Sequence, residues 1–464
     1  MKFQLRNLKL NKKLIYIFVI SISIQLTIFI LIQISNWVSQ REVDELWFVF
    51  LTQTIEPYTD YKMWYQPFTQ QFLFKNWLPY IEIFEYPNKE LNFLEWYQFW
   101  VIEKHIFIRN FIYPPLFFYV LIIPSFISVE LVFIPLLLAN NLLPIVIYKF
   151  LRNIFTQKVA EWGFIATALC PLYLFYSGGL VLNTSLVTLF FILTLYYLSN
   201  NRYGYAILFL GITILFKQMM IFFIPPILVY IALKSISKEE ASFFKHSKSF
   251  LKYSAILGMT LFIGSLPWIL ITPINYIKSL LALGTLDLTF YPPLNLPGYN
   301  HPIYWFDFLH GLGAPYIVLY VFGFLNFTFI GIILLEIVIT ILVYHWHRKN
   351  KLNWLKFLDI LVYTAYLGFL FFPRGVYKYY FPFVLPLNVL WICYHFSHRL
   401  NNDNSKRRNW ILIIVFVSLI FMLIPRLYYL LLIWAILIFI IIKNRYLEEN
   451  EIFLNSVEKV EITK

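Results

Sequence analysis

The feature that most constrains this chain is a series of long apolar segments. One runs from Leu14 to Ile34, and another runs from Ile411 to Ile442 with a break only at Pro425–Arg426. About 20 apolar residues in a helix cross the roughly 30 Å hydrocarbon core of a bilayer, and a helix satisfies its own backbone hydrogen bonds there. A barrel would show short alternating runs instead. The sequence therefore predicts an all-α, polytopic transmembrane helical bundle.

Composition agrees with this class and identifies the main partner. The chain is 60% hydrophobic and 13% charged, whereas a soluble domain is about a quarter charged. Its net charge of +13 comes from basic residues in short loops between apolar blocks, where they orient a membrane protein. We therefore expect the lipid bilayer, and no nucleic acid, as the partner of this charge. Cys170 and Cys393 lie inside apolar runs and are interpreted as packing residues, not as disulfide or metal ligands.

Hydropathy predicts about twelve spans. They lie near residues 14–37, 129–151, 158–177, 180–199, 203–217, 219–235, 253–272, 315–345, 356–372, 380–397, 410–424 and 427–443. The apolar piece 114–127 is interrupted by three prolines, so it is interpreted as a re-entrant or interfacial helix. The basic N-terminus precedes a long apolar run without a small-residue cleavage site, so we expect an uncleaved first span.

The distribution of charge predicts the topology. With Met1 inside, about 24 basic residues face inward and about 11 face outward, as the positive-inside rule requires. Residues 1–445 then form one transmembrane domain with two large outer loops, 38–112 and 273–314, and residues 446–464 form a cytoplasmic tail. We expect an integral protein of a prokaryotic plasma membrane, with both termini cytoplasmic.

The first outer loop is a candidate site because a loop of about 75 residues in a compact protein usually has a function. It combines ten acidic residues with five tryptophans, and sugar-binding sites use carboxylates and aromatic faces together. The alternative is a loop whose tryptophans lie at the headgroup level. Asp44 and Glu45 follow the first span closely, where a carboxylate held at the membrane surface can act as a general base on an acceptor hydroxyl. An ordinary acidic helix end is the alternative.

Three basic residues on the predicted outer side suggest a binding site for an anion. Lys217 separates two apolar segments that are each too short to cross the bilayer, so it lies recessed below the outer surface. Burying a lysine there costs roughly 2.5–3.5 kcal/mol, and an anionic partner such as a lipid phosphate would offset this cost. Arg374 and Lys378 lie four residues apart in an outer turn and could hold one phosphate between them. Snorkelling of Lys217 and headgroup anchoring of Arg374 and Lys378 are the alternatives.

Five short motifs follow one another along the chain. They are the acidic pair Asp44–Glu45, Glu56-Pro57-Tyr58-Thr59-Asp60-Tyr61, Tyr113-Pro114-Pro115-Leu116-Phe117, Lys217-Gln218 with Pro225-Pro226, and Pro373-Arg374-Gly375-Val376-Tyr377-Lys378-Tyr379-Tyr380. In this order they resemble the motifs of the GT-C superfamily of multi-span glycosyltransferases, which includes the polyprenyl-phosphate-mannose-dependent mannosyltransferases. The resemblance covers about residues 14–397. Many relatives carry an acidic residue after the third span, where this chain has Asn183-Thr184-Ser185.

The resemblance implies a GT-C-like fold and an inverting transfer of a mannose-like hexose from a polyprenyl-phosphate donor. The acceptor would be a lipid, a glycan or a protein on the non-cytoplasmic side. The implied roles are catalysis for Asp44, Glu45 and Asp60, binding of the donor phosphate for Lys217, Arg374 and Lys378, and substrate binding for Tyr58, Tyr113, Gln218 and Tyr379.

Cofactors and two rival functions stay open. No residue spacing requires a metal, although a divalent ion near Asp44 would be compatible with the acidic loop. One rival is a lipid-linked sugar flippase or other transporter, for which Glu336 inside a span is the best indication. The other is a glycan polymerase or ligase that uses a lipid-diphosphate donor.

Overall fold

The computed structural model describes part of the chain. The described residues are 11–39, 65–75, 79, 84–85, 108–109, 113–236, 242–280, 326–349, 352–370 and 382–401. The predicted cytoplasmic tail, the two predicted spans beyond residue 409 and most of both predicted outer loops lie outside them.

The described residues are helical, apart from one short strand pair in the predicted first outer loop. There β1 (Phe84–Glu85) pairs antiparallel with β2 (Ile108–Arg109), with Phe84 opposite Arg109. The helices, in chain order, are α1 (Lys12–Ser39), α2 (Gln66–Lys75), α3 (Pro115–Ser125), α4 (Phe133–Arg152), α5 (Gln157–Ala168), α6 (Thr184–Ser199), α7 (Tyr203–Phe216), α8 (Ile224–Lys234), α9 (Phe243–Ile271), α10 (Pro273–Leu280), α11 (Asn326–Arg348), α12 (Trp354–Leu370) and α13 (Leu385–Asn401). Two short 3₁₀ helices and one π-helix lie between these α-helices. The 3₁₀ helices are Val129–Val132, before α4, and Gln218–Phe223, before α8, and the π-helix is Tyr173–Gly179, before α6.

Three described helices are long and apolar enough to cross a membrane: α1, α4 together with its preceding 3₁₀ turn, and α9. A fourth span results if α5 and the π-helix, which meet at a bend of 61°, count as one. The protein is therefore an integral membrane protein with an all-helical bundle, and the total of about twelve spans stays a prediction.

Two of the differences between the helix boundaries and the hydropathy windows are large. The predicted span 158–177 is broken, because α5 ends at Ala168 and the π-helix begins only at Tyr173. Pro171 lies in the gap, and a proline cannot continue the hydrogen-bond ladder of the preceding turn. The predicted span 253–272 begins ten residues earlier, at Phe243, because Ser242 caps the helix by accepting from the Lys245 amide. Hydropathy windows overlook this polar first turn.

At one end of the bundle, the helix termini carry many lysine and arginine residues. Asn153 after α4 donates to Tyr196 Oη at the end of α6 (3.2 Å), and His246 of α9 lies 6.0 Å from His347 of α11 between ring centroids. Asn11 before α1 donates to Glu161 of α5. We call this the basic end; it carries Lys12, Lys13, Lys149, Arg152, Lys158, Arg202, Lys234, Lys245, Lys248, Lys252, Arg348, Lys349 and Lys356.

The buried core is formed mainly by α4, α6, α7 and α8, together with α12 and the start of α13. By contrast, α1, α9 and α11 expose rows of Ile, Leu and Val side chains. Exposed apolar rows on a membrane helix face lipid, so these helices lie on the periphery of the described bundle.

Candidate functional site

The end of the bundle opposite the basic end carries a compact group of polar and aromatic side chains. Its centre is Lys217, the residue that ends α7, which is only 8% exposed. Its ammonium donates to Asn183 Oδ1 at 3.4 Å and lies 5.1 Å from the centre of the Phe383 ring. Lys217 is therefore a buried cation between an amide oxygen and an aromatic face, which are both favourable neighbours for it.

Local structure explains why Lys217 is held in place. Its backbone is extended, with φ −155° and ψ 120°, so α7 stops there and the chain continues as a 3₁₀ helix. The segment after Lys217 therefore turns back into the bundle within a few residues, with Pro225 and Pro226 in the first turn of α8. Prolines are tolerated there because first-turn amides need no partner within the helix. This is the short hairpin that the sequence predicts around Lys217.

Asn183 connects Lys217 to the predicted first outer loop. It precedes the first residue of α6, and its backbone N–H donates to Tyr65 Oη at 3.3 Å. Tyr65 is fully buried, and its ring packs edge-on against Tyr113 (centroids 5.9 Å apart) and Phe117 (4.9 Å). Tyr113 is thus connected to Asn183 through the side chain of Tyr65, and it lies at the same end of the bundle as Lys217.

Hydroxyl groups support the start of α6 next to Asn183. Ser177 Oγ of the π-helix and Thr184 Oγ1 lie 2.7 Å apart, and both side chains are buried. Thr188, one turn later, donates to the carbonyl oxygen of Pro382 at 3.4 Å, directly before Phe383. The π-helix, α6 and the start of α13 are therefore tied together around the lysine.

The turn that leads to Asn183 has an unusual backbone. Val181 has φ 54°, and a β-branched residue in this left-handed region is a genuine outlier. Such a conformation costs on the order of 1–3 kcal/mol and persists only where the surrounding structure imposes it. The buried side chain of Val181 and the packing of the π-helix against α1 provide this constraint.

The structure brings together three of the predicted site residues. Lys217, Gln218 and Tyr113 lie at one end of the bundle, with Gln218 half-buried as the first residue of the 3₁₀ helix. The other seven lie outside the described residues: Asp44, Glu45, Tyr58, Asp60, Arg374, Lys378 and Tyr379. Their roles stay predictions.

Sequence reasoning missed several residues of this group. In the sequence, Asn183 is notable only because many relatives have an acidic residue at that position. Tyr65 and Phe383 belong to none of the motifs. Their contribution arises from contacts between positions far apart in the sequence, 118 residues for Tyr65 and Asn183 and 34 residues for Asn183 and Lys217. Within the described ranges, no three His, Cys, Asp or Glu side chains come together to hold a metal ion, and Asp44 lies outside these ranges.

One further polar contact involves an acid that the sequence places in a span. Asp359 of α12 is buried and accepts a hydrogen bond from the Trp391 indole of α13 at 2.7 Å. This contact joins two neighbouring helices, so it gives Asp359 a structural role.

Comparison with known families identifies the protein class. No curated protein sequence matches the chain significantly. Residues 113–268, however, match the family described as dolichyl-phosphate-mannose-protein mannosyltransferase. The matched region runs from Tyr113 through Asn183, Lys217 and Gln218 into α9, so it contains the polar group around the buried lysine. Over this region, about a third of the chain, the protein is therefore similar to a family of membrane mannosyltransferases, which agrees with the GT-C resemblance of its sequence motifs.

Proposed function

We propose that the protein transfers a hexose, with mannose as the first candidate, from a polyprenyl-phosphate donor to a hydroxyl group of a lipid, glycan or protein. The transfer takes place on the non-cytoplasmic side of the membrane. The observation that supports this best is the buried Lys217 inside the family-matched region, at the end of the bundle opposite the basic end. By the positive-inside rule the basic end is cytoplasmic, so Lys217 belongs to the outer half.

The proposed chemistry is a displacement at the anomeric carbon of the donor. The acceptor oxygen forms a bond to this carbon as the bond from carbon to phosphate oxygen breaks, and the configuration inverts. Asp44, assisted by Glu45 or Asp60, takes the proton of the acceptor hydroxyl. The lipid phosphate leaves with one more negative charge than it had in the donor.

The basic residues act on this growing charge. Lys217, together with Arg374 and Lys378, is proposed to stabilise the phosphate as the bond to the sugar breaks. Interactions that strengthen in the transition state lower the barrier without tightening the ground state. Lys217 is suited to this role because a buried cation interacts more strongly with a nearby charge than an exposed one does.

The proposed substrate-binding residues are Tyr58, Tyr113, Gln218 and Tyr379. For Tyr113, support comes from its position in the aromatic group with Tyr65 and Phe117, beside Asn183. For Gln218, support comes from its position directly after Lys217 in the sequence and from its partly exposed side chain.

The test is transfer of label from a radiolabelled polyprenyl-phosphate hexose by the protein in liposomes, with native membrane extract as the source of acceptor. We expect a labelled product with the wild type and none with Asp44→Asn. If the wild type binds the donor or moves it across the bilayer without cleaving it, the transferase proposal is wrong and a flippase takes its place.

A second comparison tests the phosphate assignment. Arg374→Ala is expected to lower turnover more than Asp60→Asn, because it removes charge stabilisation in the transition state, whereas Asp60 only assists the base. Equal turnover of Arg374→Ala and the wild type would remove Arg374 from the site.

A further inference from the structure

The side chain of Asn183 is placed differently from that of most asparagines that precede a helix. Such a residue usually accepts a hydrogen bond from a first-turn amide of its helix. Asn183 makes no such bond with α6, and its Oδ1 instead accepts from Lys217 Nζ. Because an ammonium group only donates, this contact fixes the amide orientation and leaves Nδ2 as the free end.

That free end is a buried donor without an acceptor. Asn183 is 2% exposed, and Nδ2 has no hydrogen-bond partner in the described structure. An unsatisfied buried donor costs about 1–3 kcal/mol, so native proteins rarely keep one without a reason. The donor lies on the same carboxamide that contacts Lys217, at the amino-terminal end of a 16-residue helix.

Three features at this point therefore favour the same kind of ligand. The first-turn amides of α6 have no carbonyl partner within the helix, and the helix dipole is positive at this end. Lys217 supplies a full positive charge, and Asn183 Nδ2 supplies a directed donor. A phosphate oxygen would accept from Nδ2 and be attracted by both the lysine and the helix end.

We propose that Asn183 is a direct ligand of the donor phosphate and that its neutral amide is required for phosphate binding at Lys217. This inference rests on the proposed function, since it places the lipid phosphate at Lys217.

The decisive substitution is Asn183→Asp, which keeps the shape of the side chain. A carboxylate would pair with Lys217, remove the donor and repel a phosphate. We expect the Kd for a short-chain polyprenyl phosphate to rise roughly 10- to 100-fold, the range for losing a hydrogen bond to a charged group. Binding of the uncharged polyprenol of the same length should not change. The melting temperature should not fall, because Asp precedes a helix as favourably as Asn does.

Asn353→Asp is the matched control. Asn353 also precedes a helix, α12, and its Oδ1 accepts from the Lys356 amide at 2.9 Å, at the basic end. The same change of chemistry there should leave binding of polyprenyl phosphate within about twofold of the wild type, since Asp caps a helix as well as Asn does and Asn353 lies at the end of the bundle opposite Lys217.

Lys217→Gln, measured alongside, separates the two proposals. If Lys217→Gln loses polyprenyl phosphate while Asn183→Asp binds it like the wild type, the role of Asn183 is refuted and the lysine assignment stands. If both variants bind like the wild type, the phosphate does not lie at Lys217 and both proposals fail. Should Asn183→Asp not fold, Asn183→Ala carries the same test, with an expected rise in Kd of at least about fivefold.

Discussion

At the scale of single residues, two ionisable side chains show how differently a buried charge can be accommodated in this bundle. Lys217 lies at a helix end between Asn183 and Phe383. Glu336 lies near the middle of α11, and both carboxylate oxygens are buried without a hydrogen-bond partner in the described residues. The lysine therefore has polar and aromatic neighbours that suit a binding group, whereas the glutamate has no hydrogen-bond partner among the described residues.

Glu336→Leu should therefore stabilise the protein. Removing an unsatisfied buried acid recovers a desolvation cost of about 1–3 kcal/mol, and leucine fills a similar volume. We expect a higher melting temperature in detergent micelles and transfer activity within about twofold of the wild type, since Glu336 has no role in the proposed chemistry.

Loss of transfer in Glu336→Leu, with folding intact, would contradict this expectation. It would indicate a polar pathway through the bundle, the feature that favours a transporter. Glu336→Gln separates charge from hydrogen bonding: retained transfer in this variant alone would show that the polar group, not the charge, is required.

At the scale of elements, α1 is attached to α4 and to the end of α5 through an amide cluster. Gln25 accepts from Asn140 Nδ2 (2.8 Å) and donates to Asn141 Oδ1 (3.2 Å) of α4 and to Ser21 Oγ (3.1 Å) of its own helix. Ser21 in turn donates to the carbonyl oxygen of Ala168, where α5 ends. Asp44 and Glu45 follow α1 in the sequence, so we expect this cluster to help position the proposed base.

Gln25→Leu is expected to lower transfer more than it lowers stability. Hydrogen bonds between membrane helices contribute about 0.6 kcal/mol on average and at most about 1.7 kcal/mol, so the fold should survive. A small shift of α1, however, would misplace the base, and a displacement of about 1 Å can cost 100-fold in rate. The measurement is kcat and the donor KM in liposomes beside a melting curve, with the loss expected in kcat.

Thr27→Ala is the control for this variant. Thr27 lies on the same helix, is exposed, and donates only to the carbonyl oxygen of Ser23. Its kcat should match that of the wild type. An equal loss of kcat in both variants would mean that any change in α1 impairs transfer. The proposal that Gln25 positions α1 for transfer would then be wrong.

The π-helix approaches α1 closely because it ends in two glycines. A Cβ on Gly178 would lie 2.5 Å from Gln25 Cγ, and one on Gly179 would collide with Ile28. Gly178→Ala should therefore push α1 away and destabilise the protein by about 1–3 kcal/mol. Gly258→Ala, in the interior of α9 with open space around it, should stabilise by up to about 1 kcal/mol. Melting temperatures that shift in the same direction would contradict this close approach.

Sequence alone predicts the elements better than their contacts. Apolar blocks predict the positions of α1, α4 and α11 because lipid imposes a minimum helix length. They do not predict the break between α5 and the π-helix, which lies at Pro171, or the close approach of the two glycines to α1. The burial of Lys217 follows from two short neighbouring segments, whereas its contacts with Asn183 and Phe383 arise only from tertiary packing.

At the scale of the whole molecule, the bundle is polarised along its length. The basic end and the end that carries Lys217 and Asn183 are joined by helices that run between them. The helix α9 has 29 residues, or roughly 43 Å, enough to cross a bilayer. The positive-inside rule predicts that its amino-terminal end is cytoplasmic and that its carboxyl-terminal end faces outward. This orientation would put the proposed site on the side where the donor presents its sugar.

Cysteine labelling across α9 tests the orientation. Lys248→Cys and Asn275→Cys introduce exposed thiols near its two ends, and the native Cys170 and Cys393 are buried and should contribute little background. A membrane-impermeant maleimide applied to intact cells should label Asn275→Cys and leave Lys248→Cys unlabelled until the cells are permeabilised. The reverse pattern would put Lys217 on the cytoplasmic side, and a donor whose sugar faces outward could then not reach it.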